Sequence, residues 1–208
     1  MYMPSTLWTT ILQFHSDPER VKDFVVRRYR QPVVDFALLQ GLSQEDAEDV
    51  AQEVFIRVCQ KAFLTKANQI RGKFRTVLLT VTKRVIISLR RHDTAGKRDR
   101  RLQIPIDGVD LPEAADPDPD FDRLWVKNLV TQALERLELD PAVQAFRLHL
   151  KGHSYQEIAQ KLDRKVSDVT NFIHRARERL KNEIEQLIAE YSAREDIAEE
   201  IAALRRFL

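Results

Sequence analysis

Between Ile104 and Asp122 the chain carries Pro105, Pro112, Pro117 and Pro119, and from Ile106 to Asp122 it has seven acidic residues and no basic one. Proline withdraws backbone donors and like charges repel, so this stretch opposes a packed core and reads as a linker. It divides 208 residues into two units, each able to bury a core of its own. On both sides the apolar residues recur at three- and four-residue intervals, the period of a helix with one buried face. Glycine is scarce, with 5 residues in a chain that is 43% hydrophobic and 32% charged, which also favours helix over sheet. The expected fold class is all-α: two small helical domains joined by the acidic Pro-rich linker, the second a helix-turn-helix, plus a helical C-terminal extension. The expected boundaries are 1–103 for the first domain, 104–122 for the linker, 123–182 for the second domain and 183–208 for the extension.

In the front unit, Asp17-Pro18-Glu19 predicts a helix start with Asp as cap, and Val21, Phe24, Val25 and Tyr29 as the buried side. Pro32 opens a second helix over Val33, Val34, Phe36, Ala37, Leu38 and Leu39, with Gly41 as its stop. Ser43 with Asp46 three residues on is a shortened capping box. The helix it starts buries Ala47, Val50, Ala51, Val54, Phe55 and Val58. Lys61 to Lys73 is less periodic, contains Gly72, and reads as a loop. A long helix from Phe74 to about His92 turns Val77, Leu78, Val81, Val85, Ile86 and Leu89 inward. Its Val and Ile content would suit a strand, but the spacing is nearer the helical period than the alternation of a strand.

In the second unit, Leu124, Val126, Leu129, Val130, Ala133, Leu134 and Leu137 mark one helix, and Pro141 opens another through Leu150, broken at Gly152. Ser154-x-x-Glu157 is a full capping box, in which hydroxyl and carboxylate each satisfy a free N–H of the helix start. Tyr155, Ile158, Ala159 and Leu162 form the buried face, and Asp163-Arg164-Lys165 supplies a short polar turn. The following helix places Val166, Val169, Ile173, Ala176 and Leu180 inward. Two short helices, a tight turn and a basic second helix suit insertion of that helix into the major groove. Lys161 to Lys181 holds seven bases and three acids, a net +4 and so a modest phosphate footprint.

The overall charge of +2 says little about partners, but its distribution says more. Arg71 to Arg101 contains eleven Lys/Arg against two acids, a net +9, as expected of a surface that meets a polyanion. The single cysteine, Cys59, excludes an internal disulfide and suits a reducing compartment; it lies on a helical apolar period, which points to packing. No run approaches the ~20 apolar residues of a membrane span, and the start lacks the layout of a signal peptide. A cytoplasmic protein without membrane insertion is expected. Asp46, Glu48, Asp49 and Glu53 cluster carboxylates that could serve acid–base chemistry or a metal. No His, Cys or Gly-rich loop accompanies them, and acids in a first turn also stabilise a helix through its dipole. The chain is therefore expected to be no enzyme, with no catalytic residue, cofactor or metal.

Together these segments resemble the RNA polymerase sigma factors of bacteria, in the extracytoplasmic-function group. Asp46-Ala-Glu-Asp-Val-Ala-Gln-Glu-Val-Phe55 is similar to the family helix that docks on the clamp of the polymerase's largest subunit. Gly72-Lys-Phe-Arg75 and the helix through Arg91 resemble the part that opens and reads the minus-ten element. Gly152-His-Ser-Tyr-Gln-Glu-Ile-Ala159 with His174-Arg-Ala-Arg-Glu-Arg-Leu180 resembles the region that reads the minus-thirty-five element. The likeness covers roughly residues 17–182. It implies polymerase contacts at Asp46, Glu48, Asp49, Gln52 and Glu53. Minus-ten contacts fall on Lys83, Arg84, Ser88, Arg90 and Arg91. Recognition-helix contacts fall on Arg164, Lys165, Ser167, Thr170, Asn171, His174, Arg175 and Arg177. Core RNA polymerase and promoter DNA are the implied partners, with an anti-sigma factor or other regulator as a further one.

The chain departs from the family pattern in three places. The minus-ten helix reads Thr82-Lys-Arg-Val-Ile-Ile-Ser88, with Phe74 at its start as the one aromatic for base stacking. The recognition helix carries Thr170-Asn171-Phe172, where Asn can bond adenine edges and Phe can pack or touch a thymine methyl. Asn182 to Leu208 runs past the usual end, net −4, with Ile184, Leu187, Ile188, Tyr191, Ile197, Ile201, Leu204 and Leu208 at helical spacing. It is expected to fold back on the body, to bind a regulator, or to stand as a solvated helix. The competing reading of the chain is a free-standing helix-turn-helix regulator whose front half only dimerises.

Overall fold

A computed structural model describes residues 18–60, 74–94 and 118–190. They form α1 (Pro18–Leu39), α2 (Gln44–Val58), α3 (Phe74–Thr94), α4 (Pro119–Arg136), α5 (Pro141–Leu150), α6 (Tyr155–Leu162) and α7 (Val166–Ala189). No strand occurs among the described residues. The expected loop at 61–73, the linker up to residue 117, the tail beyond residue 190 and the side chains of Val21 and Phe24 lie outside them.

The sequence predicts two helices meeting at Pro32, but the chain builds one, with Pro32 inside α1. Proline lacks the N–H that would bond the carbonyl four residues back, which here belongs to Arg28. That carbonyl accepts instead from Asn128 Nδ2 of α4, at 3.0 Å. A contact from a hundred residues away replaces the missing intrahelical bond. Pro32, Val33, Val34, Phe36 and Ala37 are buried beyond it and hold the second half of the helix in place, while Leu39 turns outward at 56% exposure. Asn128→Leu keeps the side-chain bulk and removes the donor, so it should destabilise the chain by about 1–2 kcal/mol. Urea unfolding measures this, and an unchanged midpoint would mean that water serves the carbonyl equally well.

α2 and α3 pack as their spacing predicts. Ala47, Val50, Ala51, Val54, Phe55 and Val58 are buried on α2, and Val77, Leu78, Val81, Val85 and Ile86 on α3. With α1 they form the front lobe. A second lobe gathers α5, α6 and the first half of α7 around Val143, Phe146, Ile158, Val169 and Ile173. Val166, expected inward, is 45% exposed, and the buried face of α7 begins at Val169.

Two helices run through both lobes. On α4, Phe121, Trp125, Val126, Leu129 and Ala133 join the front core, and Leu134 packs on the rear one. α7 crosses in the opposite sense: Val169, Ile173 and Ala176 belong to the rear core and Ile184, Leu187 and Ile188 to the front, with Leu180 touching both. The front part of the expected extension is thus the end of α7 itself. α4 also begins inside the expected linker, at Pro119, because Asp118 caps it by accepting from the N–H of Asp120 at 3.1 Å. The proline that argues against structure there occupies the first helical turn, where its missing N–H has no cost.

Candidate functional site

α2 starts at Ser43, whose hydroxyl accepts from the N–H of Asp46 at 3.1 Å and donates to its carboxylate at 2.6 Å. Glu48 pairs with Arg30 of α1 and accepts from Gln44 Nε2 at 3.1 Å. Glu53 accepts from Arg57 Nε at 2.6 Å, and Arg57 is only 9% exposed. Three of the five acidic-helix residues named from sequence therefore already serve the lobe. Asp49 and Gln52 face solvent, on one stripe with Glu45 and Ile56 at helical spacing. Sequence reasoning did not name Glu45 or Ile56 on this stripe. The available signal was that Ile56, 51% exposed, falls out of phase with the buried face.

On α3, Lys83, Arg90 and Arg91 are exposed and Arg84 and Ser88 half-buried. Ile87, which sequence reasoning passed over, stands among them at 48% exposure. The Arg90 guanidinium donates to the carbonyl of Gln40 at the end of α1. Phe74 is no stacking platform: it is 2% exposed, with its ring 5.3 Å from Tyr29, because the helix start packs into the lobe. Lys83 Nζ lies 2.6 Å from the Asp118 carboxylate and 5.9 Å from the Phe36 ring. Arg75 Nε lies 2.7 Å from Asp122, and its guanidinium sits 4.5 Å from the Trp125 ring. Burial pushes the Asp118 carboxyl up, but the hydrogen bond and charge of Lys83 and the N–H groups of Asp120 and Phe121 together bring it below its ordinary 3.8. A carboxyl lowered in the folded state contributes stability above its ordinary range and loses it as pH falls through the lowered value. The contact is therefore intact at neutral pH.

The helix-turn-helix forms as its caps dictate. Ser154 Oγ accepts from the N–H of Glu157 at 3.3 Å, and Glu157 accepts from the N–H of Ser154 at 2.7 Å. α6 ends at Asp163, which adopts the left-handed conformation (φ 52°, ψ 57°) that turns the chain into α7. Asp168, near the expected DNA face, accepts from the N–H of Lys165 at 3.2 Å and so caps the next helix. Arg164, Lys165, Ser167, Thr170, Asn171, His174, Arg175 and Arg177 are all exposed, opposite the buried Val169, Ile173 and Ala176. Phe172 packs against the lobe, and the Arg175 guanidinium lies 5.5 Å from its ring. Arg179, by contrast, pairs with the buried Asp140 that caps α5, an internal use of a helix cation.

The family model for sigma-70 region 2 matches residues 25–95, and that for sigma-70 region 4 matches residues 127–180. The ferric citrate uptake sigma factor FecI of Escherichia coli is 30% identical over 134 residues, 63% of this chain and 72% of that protein. The chain belongs to the extracytoplasmic-function group of sigma factors. The ECF RNA polymerase sigma factor SigE of Mycolicibacterium smegmatis is also 30% identical, over 165 residues, 77% of this chain and 60% of that protein. The chain thus spans about three fifths of the length of this mycobacterial relative. Sigma factors act in transcription initiation and are regulators rather than enzymes. The region 2 match covers the acidic and basic helices of this sigma factor, and the region 4 match ends within α7. Among the described residues no helix is long and apolar enough to cross a membrane.

Proposed function

We infer that this sigma factor docks on core RNA polymerase through α2 and directs it to promoters read by α3 and α7, the polymerase supplying all of the chemistry. One observation carries the reading. All eight polar and basic residues assigned to the recognition helix and its turn are exposed on one side of an element whose other side is core. That is the arrangement a major-groove helix requires. The stripe of Glu45, Asp49, Gln52 and Ile56 offers a separate surface with an apolar end, suited to a protein partner. The region 2 unit then takes in residues 1–103 and the region 4 unit runs from the start of α4 at Pro119 into α7, acting in the cytoplasm. An anti-sigma factor or other regulator remains part of the proposal.

Asp49→Lys is the test of the polymerase surface, because Asp49 faces solvent and its reversal leaves the lobe intact. Like charges brought together at an interface cost several kcal/mol, so binding should weaken by at least about thirtyfold, or about 2 kcal/mol. Co-elution with purified core enzyme and run-off transcription both read the effect. Equal co-elution of the variant and the parent chain overturns the assignment of α2. Glu53→Lys would be a poorer test, since it also removes an ion pair that Arg57 makes within the lobe.

A further inference from the structure

The buried side of the first half of α7 is marked by Val169, Ile173 and Ala176. At about 100° per residue, the exposed Asn171 lies almost opposite that side, with Ser167 one turn before it. Arg175, one turn after Asn171, is rotated roughly 50° from this centre line toward Phe172. Its side chain follows the same direction, and the guanidinium carbon sits 5.5 Å from the Phe172 ring centroid. The ring is itself held, because Phe172 is half-buried and packs on the rear core. A guanidinium stacked on a fixed aromatic face loses little further freedom when its edge meets acceptor oxygens. In a helix lying along the major groove, side chains opposite the core meet base edges, and those on the flank meet the backbone at the groove wall.

We propose that Phe172 is a positioning residue that holds Arg175 to the flank of α7, where the guanidinium anchors a DNA phosphate and leaves the groove floor to Asn171. This rests on the reading of α7 as the major-groove helix. It deepens that reading by separating an anchor that fixes register from a reader that selects sequence. The carboxamide of Asn171 is suited to an adenine edge, so the selected base pair is A·T. Sequence reasoning left Phe172 either to pack or to touch a thymine methyl; the geometry gives its outer face to Arg175.

The test uses holoenzyme assembled from the full chain and purified core. Its probe is a promoter duplex that this holoenzyme selects from a randomised library, with every single-base-pair substitution of the upstream element. Arg175→Ala should weaken binding about tenfold near 0.1 M salt, equally on every substituted duplex, and flatten the dependence of log affinity on log salt by about 0.9. Asn171→Ala should instead lose roughly tenfold discrimination at one A·T pair and leave the salt slope unchanged. Phe172→Leu keeps apolar bulk on the core and removes the ring, so it should weaken binding roughly two- to fivefold, again evenly across sequences. In the Arg175→Ala background the same substitution should have no further effect. Phe172→Tyr, which keeps an aromatic face, should bind like the parent. A loss from Phe172→Leu that persists in the Arg175→Ala background means that the ring only packs, and overturns its positioning role. If Arg175→Ala relaxes selection at one base pair and spares the salt slope, Arg175 is a reader and the anchor is overturned. If the library yields no upstream element and neither Arg175→Ala nor Asn171→Ala alters binding, the reading of α7 as the DNA helix fails, and the anchor with it.

Discussion

Phe121→Ala should destabilise this sigma factor by about 3–5 kcal/mol, the range for truncating a buried aromatic side chain. Phe121 is 1% exposed and stacks edge-on against Phe36, which is itself 1% exposed, so its removal leaves a cavity between α4 and α1. For a chain of this length, each kcal/mol lowers the melting temperature by roughly 2–4 °C, which puts the expected shift near 10 °C. Its form is as informative as its size. Because α4 and α7 both run through the two cores, the chain should melt in one transition at the lower temperature. Thermal unfolding followed by circular dichroism decides this: a second, unshifted transition would show that the rear lobe folds without the front one.

The complementary substitution lies at the other end. Ile158 is 0% exposed at the centre of the helix-turn-helix core, and Ile158→Ala should cost about 2–5 kcal/mol. Were the rear lobe independent, a reporter in the front one would not sense the loss. Trp125 is such a reporter: it is 6% exposed in the front core, beneath the Arg75 guanidinium. With the remaining tryptophan replaced (Trp8→Phe), Trp125 fluorescence should report a urea midpoint that falls in step with helical circular dichroism. The physical link is Leu180, which touches both cores, and the uninterrupted α7, about 36 Å long at 1.5 Å per residue over its 24 residues. If the Trp125 midpoint stays put while helix content is lost earlier, the lobes are uncoupled.

The ion pairs between the lobes point the same way. Arg136 of α4 donates to Glu190 at 2.8 and 3.0 Å and to Glu183 at 3.1 Å, and Arg28 of α1 lies 3.5 Å from Glu190. The Arg136 hydrogen bond, the largest influence, and the neighbouring charges of Arg136 and Arg28 hold the Glu190 carboxyl below its ordinary value against a partial rise from burial. Arg136 and Glu190 are nearly half-exposed, so their pair positions the end of α7 more than it stabilises it. The apolar contacts of Ile184, Leu187 and Ile188 supply the stability.

Much of this was legible in the residues themselves. Every apolar position named for α2 is buried, since a helix with one repeating apolar face has only one way to bury it. Ser154 and Glu157 form the reciprocal cap that their spacing announces, because that bond involves four consecutive residues and nothing distant. The exposure of Thr170, Asn171 and His174 follows from the same periodicity. Local rules failed where a distant partner intervened. Pro32 reads as a helix boundary, and it is none, because Asn128 supplies the donor that proline lacks. Pro119 and its acidic neighbours read as linker, and they start a helix, because Phe121 and Trp125 have a front core to enter. The acidic cluster on α2 reads as one surface, yet Glu48 and Glu53 are committed to Arg30 and Arg57.

The sequence by itself determined the helical class, most of the caps and buried faces, and with them the family, but not the continuity of α1 through Pro32 or the start of α4. The properties read correctly depend on residues within one or two turns of each other. Only the tertiary structure decided which charges remain available and how the two lobes meet. A side chain's partner across the chain is fixed by the packing of whole helices, and no local period encodes it.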